Sequence, residues 1–268
     1  MRFSVLSSGS KANCVFVEAG GVRLLVDCGL SGKQAEERLS EVGIDPATLD
    51  AIIVTHEHSD HINGVGTLSR RYKLPVYANC ATMESISKPR AKEVFKTGDE
   101  FYIRDARIEP FSVVHDAADP VGFAIYASGL KLVICTDLGR VTTLVRQHLS
   151  GANAILLESN HDLEMLQSCS YTWELKQRIA STHGHLSNET AGQLIEEIMH
   201  PDLFHIVLGH LSENSNTPAL ALDTANRYLK RCEDRAIGLQ TLLCGNIYES
   251  LPCLELDVPS APRVLMSA

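Results

Sequence analysis

No stretch of this sequence approaches the 18 or so consecutive apolar residues that a bilayer-spanning helix needs, and the opening MRFSVLSSGSKAN lacks the apolar core of a signal peptide. No membrane role is expected, and a cytoplasmic location is. Positive charge is also short. Lys and Arg total 24 against 33 Asp and Glu, a formal net charge of −9, so no global electrostatic funnel draws nucleic acid to this chain. A local basic groove beside a bound cation is compatible with that balance. Cysteine pairs at metal-binding or redox spacing are missing: none of the eight cysteines forms C-x-x-C, and most stand beside apolar residues, as in Val133-Ile134-Cys135. Reduced, buried thiols packing as small hydrophobes are the expectation. Repeats, linkers and low-complexity segments are missing too, which leaves residues 1–268 as one domain. What remains, 44% hydrophobic and 21% charged, is the composition of an ordinary globular protein.

Against this plain background one stretch stands out, LDAIIVTHEHSDHING at residues 49–64. Ala51-Ile52-Ile53-Val54 reads as a buried strand. Five ionisable side chains then arrive within six residues, His56, Glu57, His58, Asp60 and His61, before Gly64 and Gly66 turn the chain away. In an extended loop alternate side chains share a direction, so His56, His58 and Asp60 converge while His61 projects towards a neighbouring point. Imidazole nitrogens and carboxylate oxygens are ligands for Zn²⁺ and similar cations. A two-metal site is the reading; the bland alternative is a solvated polar loop.

Apolar patterning sets out the rest. Strands are expected at residues 3–6, 75–77, 101–103, 107–114, 154–157 and 204–208, and hairpins over 13–27 and 121–135. Helices are expected over 31–42, 65–72, 81–88, 141–148 and 217–231, with a mostly helical run over 162–200 interrupted at 182–187. Three further strands run into a metal-compatible side chain: His115 after Phe111-Ser112-Val113-Val114, Asp137 after Val133-Ile134-Cys135-Thr136, and His210 after Ile206-Val207-Leu208-Gly209. Each repeats the design of the first loop.

His56-x-His58-x-Asp60-His61 resembles the signature of the metallo-β-lactamase superfamily. The resemblance implies an α/β (α+β) fold, the four-layer αβ/βα sandwich, but no particular substrate, because that fold hosts many chemistries. It implies two divalent ions, one held by His56, His58 and His115, the other by Asp60, His61 and His210, with Asp137 bridging. It also implies that Asp27, at the end of a hairpin strand, orients the loop from beneath. A nitrogen and carboxylate shell suits Zn²⁺, Mn²⁺ or Fe. A bridged pair would sit about 3.5–4 Å apart around a shared water or hydroxide, the nucleophile for hydrolysis.

Five segments narrow the branch: Ser7-Ser8-Gly9-Ser10-Lys11-Ala12-Asn13, Glu158-Ser159-Asn160-His161-Asp162, residues 171–179, residues 182–189, and Leu208-Gly209-His210-Leu211-Ser212. Together they resemble the YycJ/WalJ-type proteins, a bacterial subfamily described as 5′-to-3′ DNA exonucleases and related to RNA-processing members. Ser168-Cys169-Ser170-Tyr171 departs from the more turn-forming Gly-Pro-Tyr-Pro expected there. The resemblance implies a DNA substrate. RNA is the runner-up, and a small-molecule thioester or ester hydrolase is the alternative that the acidic charge favours.

Phosphodiester cleavage also needs a proton for the leaving alkoxide. His185 precedes a helix that Ser187 or Asn188 can cap, and such a terminus presents free N–H groups to an anion. His185 is therefore a candidate phosphate contact or general acid, His161 a second, and Asp60 counts in the catalytic set as well as among the ligands. A structural role within loop or strand end is the alternative for both histidines. Lys176 and Arg178 could track a nucleic-acid backbone, although a solvated helix face suits them better. Trp173, the single tryptophan, could stack a base, but core packing is expected.

Overall fold

The computed structural model describes residues 1–257. Six strands lead into the first of two sheets: β1 (Arg2–Ser7), β2 (Cys14–Ala19), β3 (Val22–Val26), β4 (Ala51–Ile53), β5 (Pro75–Ala78) and β6 (Ala91–Val94). The second sheet holds β7 (Phe101–Ile103), β8 (Ala106–Ser112), β9 (Val121–Ala127), β10 (Leu130–Cys135), β11 (Ala154–Glu158), β12 (His205–Gly209) and β13 (Thr241–Cys244). A last short strand, β14 (Leu254–Glu255), returns to the first sheet beside β1. The spatial orders are β14-β1-β2-β3-β4-β5-β6 and β13-β12-β11-β10-β9-β8-β7.

Each sheet opens with antiparallel hairpins and finishes with parallel strands, β3 through β6 in one and β10 through β13 in the other. Both halves therefore share a topology that no sequence repeat reveals. Parallel pairing sets neighbouring carboxyl ends side by side, where open α/β sheets build their sites. The residues that follow β3 and β4, and those at the ends of β10, β11 and β12, leave their sheets together.

Nine helices complete the described residues: α1 (Gly32–Glu41), α2 (Ser59–Ile62), α3 (Val65–Tyr72), α4 (Cys80–Ser85), α5 (Thr143–Leu149), α6 (Leu163–Ser168), α7 (Trp173–Ile179), α8 (Asn188–Ile198) and α9 (Pro218–Leu229). Alternation along the central strands explains the four layers. Leu24, Val26, Leu132 and Ile134 pack into the core between the sheets. Leu25 and Ile52 pack outward with Leu39 of α1 and Leu68 of α3. Val133 and Ile155 pack outward with Val145 of α5, Leu194 of α8 and Ala225 of α9. Burial on both faces is why these strands read as continuous apolar runs. No helix among the described residues is long and apolar enough to cross a membrane.

Four local expectations change. The edge strand β6, AKEV, escapes a pattern search because three of its four residues are exposed and two are charged, as suits a sheet edge. α4 stops at Ser85, short of residue 88. Cys80 is exposed, while Cys14, Cys28, Cys135 and Cys232 are buried, and all eight cysteines are unpaired. Finally, residues 59–62 form the single turn α2 rather than extended chain, which separates Asp60 from the direction of His56 and His58.

Candidate metal centre

Asp27 stands just past β3 with φ of +59°, a left-handed conformation that a non-glycine residue adopts at some cost. The turn drives its carboxylate beneath the 55–61 loop. Thr55 N–H and Thr55 Oγ1 donate to its two oxygens, each at 2.8 Å, and His61 Nδ1 donates to Oδ2 at 2.8 Å. The loop is also clamped through its backbone: Asn13 N–H donates to Asp60 O and Cys28 N–H to His61 O, both at 2.8 Å. This approach needs Gly29, where an added Cβ would lie 1.6 Å from Asp60 O.

The hydrogen bonds on one side of each ring determine what the other side presents. Thr55 Oγ1 has spent its proton on Asp27, so it accepts from His56 Nδ1 at 3.0 Å. His115 Nδ1 donates to Gly184 O at 3.1 Å, and His210 Nδ1 to Glu158 Oε1 at 3.0 Å. With His61 held by Asp27, four imidazoles turn Nε2 inward, the arrangement by which outer partners orient metal-binding histidines. Ligand-capable atoms gather within 4.8 Å of one another in four sets: His56, His58 and His115; His56, His61 and Asp137; Asp60, His61 and His210; and Asp137, Glu158, His185 and His210.

Asp137 lies between these sets. Its Oδ2 is 3.2 Å from His61 Nε2, and its Oδ1 is 3.3 Å from His210 Nε2 and 3.7 Å from His115 Nε2. Like Asp27, Asp137 and His210 occupy the left-handed region, with φ of +57° and +55°. Three site residues thus leave their strands through the same sharp turn. Asn13 fixes Asp60 from the other side: Gly9 N–H donates to its Oδ1 at 3.0 Å, and its Nδ2 donates to Asp60 Oδ2 at 3.1 Å.

Charge in the cluster follows from burial set against proximity. Burial pushes the His56 pKa well below its ordinary value, helped by His61, so this ring is neutral and fit to coordinate. Burial also opposes charge on His210, but Asp137, Asp60 and Glu158 outweigh it and raise its pKa to about 10. Asp137 would be raised by burial, yet His210 and His61 hold it well below the usual carboxylate range. Among the described residues the buried Asp137 Oδ2 and His210 Nε2 have no geometrically sound hydrogen-bond partner. Convergent imidazole nitrogens, ionised carboxylates and two orphaned buried polar atoms form a donor set that fits divalent cations.

His185 and Glu158 lie beside this cluster. Glu158 ends β11 fully buried, and its Oε1 accepts from His185 Nδ1 at 2.7 Å as well as from His210. Its Oε2 accepts from the backbone N–H groups of Leu138 at 3.0 Å and Leu186 at 3.2 Å. Burial would raise the Glu158 pKa; His185 and His210 reverse that and hold it at about 2. Glu158 is a site residue that the sequence expectations omit, although Ala154-Ile155-Leu156-Leu157-Glu158 has the same strand-to-polar signature that marks Asp137 and His210. Two N–H groups in the first turn of α8, those of Asn188 and Thr190, are taken within the chain. Ser187 caps the helix, Asn188 N–H donates to His161 O at 2.8 Å, and both Leu186 and Asn188 are buried. The anion served just ahead of that helix is the chain's own Glu158.

His161 is 2% exposed and belongs to none of the four donor sets. Its Nδ1 has no partner among the described residues, and burial lowers its pKa to about 4. A pocket of about 190 Å³ opens beside His185, lined by Ser10, Asn160, Tyr171, Leu175 and Arg178 among others. Arg178 Nε donates to Asp116 Oδ2 at 2.7 Å, and Lys176 Nζ to Gln167 O at 2.6 Å. Trp173 overturns the expectation of core packing, being 68% exposed. α7 is only seven residues long and buries Ile179 alone, so it offers no core for an indole to enter.

A sequence model described as the beta-lactamase superfamily domain matches residues 22–206. The chain is 39% identical over 245 residues to "Exodeoxyribonuclease YycJ" of Bacillus anthracis, covering 89% of this chain and 92% of that one. It is 38% identical over 259 residues to "Exodeoxyribonuclease WalJ" of Streptococcus pneumoniae, covering 94% of each. Among solved structures, the metallo-β-lactamase fold protein YhfI of Bacillus subtilis superposes with a TM-score of 0.68 at 17% identity, over 93% of this chain and 98% of that one, a likeness of fold alone. The chain belongs to the metallo-β-lactamase-fold superfamily and to its YycJ/WalJ-type group, and it is a metal-dependent hydrolase.

Proposed function

We propose that this chain is a nuclease that uses two divalent ions to remove nucleotides from the 5′ end of DNA. The relatives described above carry exodeoxyribonuclease names and span nearly the whole chain. The observation that carries the reading is the Glu158–His185 pair, a buried carboxylate holding one nitrogen of an imidazole that borders both the metal-compatible cluster and an open pocket.

His56, His58 and His115 would hold one ion and Asp60, His61 and His210 the other, with Asp137 between them. Ions bound there supply positive charge against a developing anion and lower the pKa of water. The chain's own residues do the rest. Asp27, Thr55 and Glu158 keep the imidazoles in the tautomer that presents Nε2. Asn13 holds Asp60 in place. His185 has its Nδ1 bonded to Glu158 and no partner on Nε2 among the described residues, so Glu158 holds the ring in place to pass a proton from Nε2 to the leaving oxygen. Asp60 serves through its position among the ligands. The unpaired cysteines agree with a reducing, cytoplasmic setting.

The test is a time course on 5′-labelled and 3′-labelled DNA and RNA, using metal-stripped protein resupplied separately with Zn²⁺ and Mn²⁺. Early release of the 5′ label from DNA alone is the expected result. Preferential release from RNA would transfer the same chemistry to that substrate. No cleavage of either polymer by folded, metal-loaded protein would move the reading to a small ester or thioester.

A further inference from the structure

One face of α7 borders the pocket beside His185. Leu175, Arg178 and Ile179 of α7, with Tyr171 just ahead of the helix, line it. Trp173, Lys176 and Gln177 line a different cavity, of about 510 Å³ and mostly apolar, together with Leu163, Leu166 and Gln167 from α6. The spacing of these residues by three and four positions puts the two sets on different sides of one short helix. Trp173 is 68% exposed and Leu163 47% exposed at the cavity. An indole is among the largest apolar groups a chain can leave in water, and contiguous exposed apolar surface beside a cavity marks a binding site.

Three observations select the occupant. Among the described residues the cavity is lined by one cation, Lys176, and by no carboxylate, in a chain whose net charge is −9, so it suits an anionic ligand better than a second copy of this acidic chain. Gln167 and Gln177 add amide groups, which both donate and accept hydrogen bonds as base edges require. The opposite face of α7 borders the catalytic pocket, and a helix is about 10 Å across, so a strand seated at His185 reaches this cavity within a few nucleotides. We propose that Trp173 is a stacking platform for an unpaired base of the strand being degraded, with Lys176 beside its backbone. The inference rests on the nuclease reading and adds a substrate subsite to it.

Trp173 is the only tryptophan, so indole emission reports this position alone. The experiment titrates the metal-loaded full chain with a short single-stranded oligodeoxythymidylate whose phosphorothioate linkages resist hydrolysis, following indole emission and, on a labelled copy, fluorescence anisotropy. Quenching of the emission in step with the anisotropy is the expected result. Trp173→Ala is expected to weaken binding about tenfold, since a base on an aromatic ring contributes on that scale. Trp173→Phe keeps a ring and binds close to the unaltered chain. Lys176→Ala lowers the salt dependence by about one unit of slope. Saturable anisotropy without any change in emission, or an unchanged affinity for Trp173→Ala, overturns the platform and leaves the nuclease reading standing. Self-association that Trp173→Ala abolishes overturns it in favour of a second copy. An oligonucleotide neither bound nor, in its phosphodiester form, cut overturns both.

Discussion

Glu158 Oε1 lies 2.7 Å from His185 Nδ1. The same oxygen lies 3.0 Å from His210 Nδ1, so one buried carboxylate positions both the proposed proton donor and a proposed metal ligand. This sharing makes the two residues separable by experiment. His185→Ala should slow cleavage by roughly 10²–10⁴-fold while metal content, read by atomic absorption, stays the same. Glu158→Gln should lower cleavage and also weaken metal binding about 10- to 100-fold, because it removes a partner that orients a ligand. Unchanged cleavage in His185→Ala would return that histidine to a structural role. Unchanged metal affinity in Glu158→Gln would confine Glu158 to His185.

Asp137 separates a two-ion site from a one-ion site. It approaches His61, His115 and His210 together, so Asp137→Ala should abolish hydrolysis and lower the metal-to-protein ratio. His61→Ala should act alike on hydrolysis. Circular dichroism should keep its native form in both, since the sheets do not depend on these side chains. A folded Asp137→Ala protein that still hydrolyses its substrate would remove the two-ion mechanism.

The strand ends were the legible part of this site. Asp137 and His210 each follow a run that is buried on both faces, and such runs can be read from β-branched and aliphatic residues alone. The grouping of ligands was not legible from local geometry, because the turn at residues 59–62 is helical. An extended loop would have joined Asp60 to His56 and His58, whereas the structure sets it with His61 and His210. The resemblance to the superfamily carried that grouping. The role of Glu158 is not legible in its local sequence, because its partners, His185 and His210, lie 27 and 52 residues away. Trp173 departs from core packing: a lone tryptophan in an amphipathic helix usually points inward, but here the helix is too short to have an inward face of any size.

Gly29 should be irreplaceable for a reason unrelated to turn chemistry. A Cβ there would lie 1.6 Å from Asp60 O, in the backbone clamp that seats the ligand loop. Gly29→Ala should therefore displace the loop, lowering metal affinity and costing stability by roughly 1–3 kcal/mol or more. Gly21→Ala is the control. It has φ of +70° but an added Cβ meets nothing within 4 Å among the described residues, so only the backbone penalty of roughly 1–2 kcal/mol applies, with metal affinity unaltered. Thermal melts with and without metal distinguish the two; equal effects would dismiss the clamp.

His161 gives the chain an acid sensitivity that can be isolated. Burial lowers its pKa to about 4 in the folded state, against about 6.5 for an ordinary histidine. The unfolded chain then binds a proton that the folded chain refuses, so stability falls as pH drops from about 6.5 towards 4, by about 3 kcal/mol once complete. The side chain makes no hydrogen bond through Nδ1 among the described residues, so His161→Phe removes the titration at little cost in bonding. Denaturant melts of metal-stripped protein, which avoids competition between protons and metal, should show similar stability for both proteins at pH 7. Near pH 4 the variant should be the more stable. Parallel curves across that range would mean that His161 is solvated or partnered in the folded protein. The same variant bears on chemistry, because an imidazole with a pKa near 4 is neutral at pH 7 and can accept a proton but has none to spare as an acid. A cleavage rate unchanged in His161→Phe would leave His185 as the proton donor by itself.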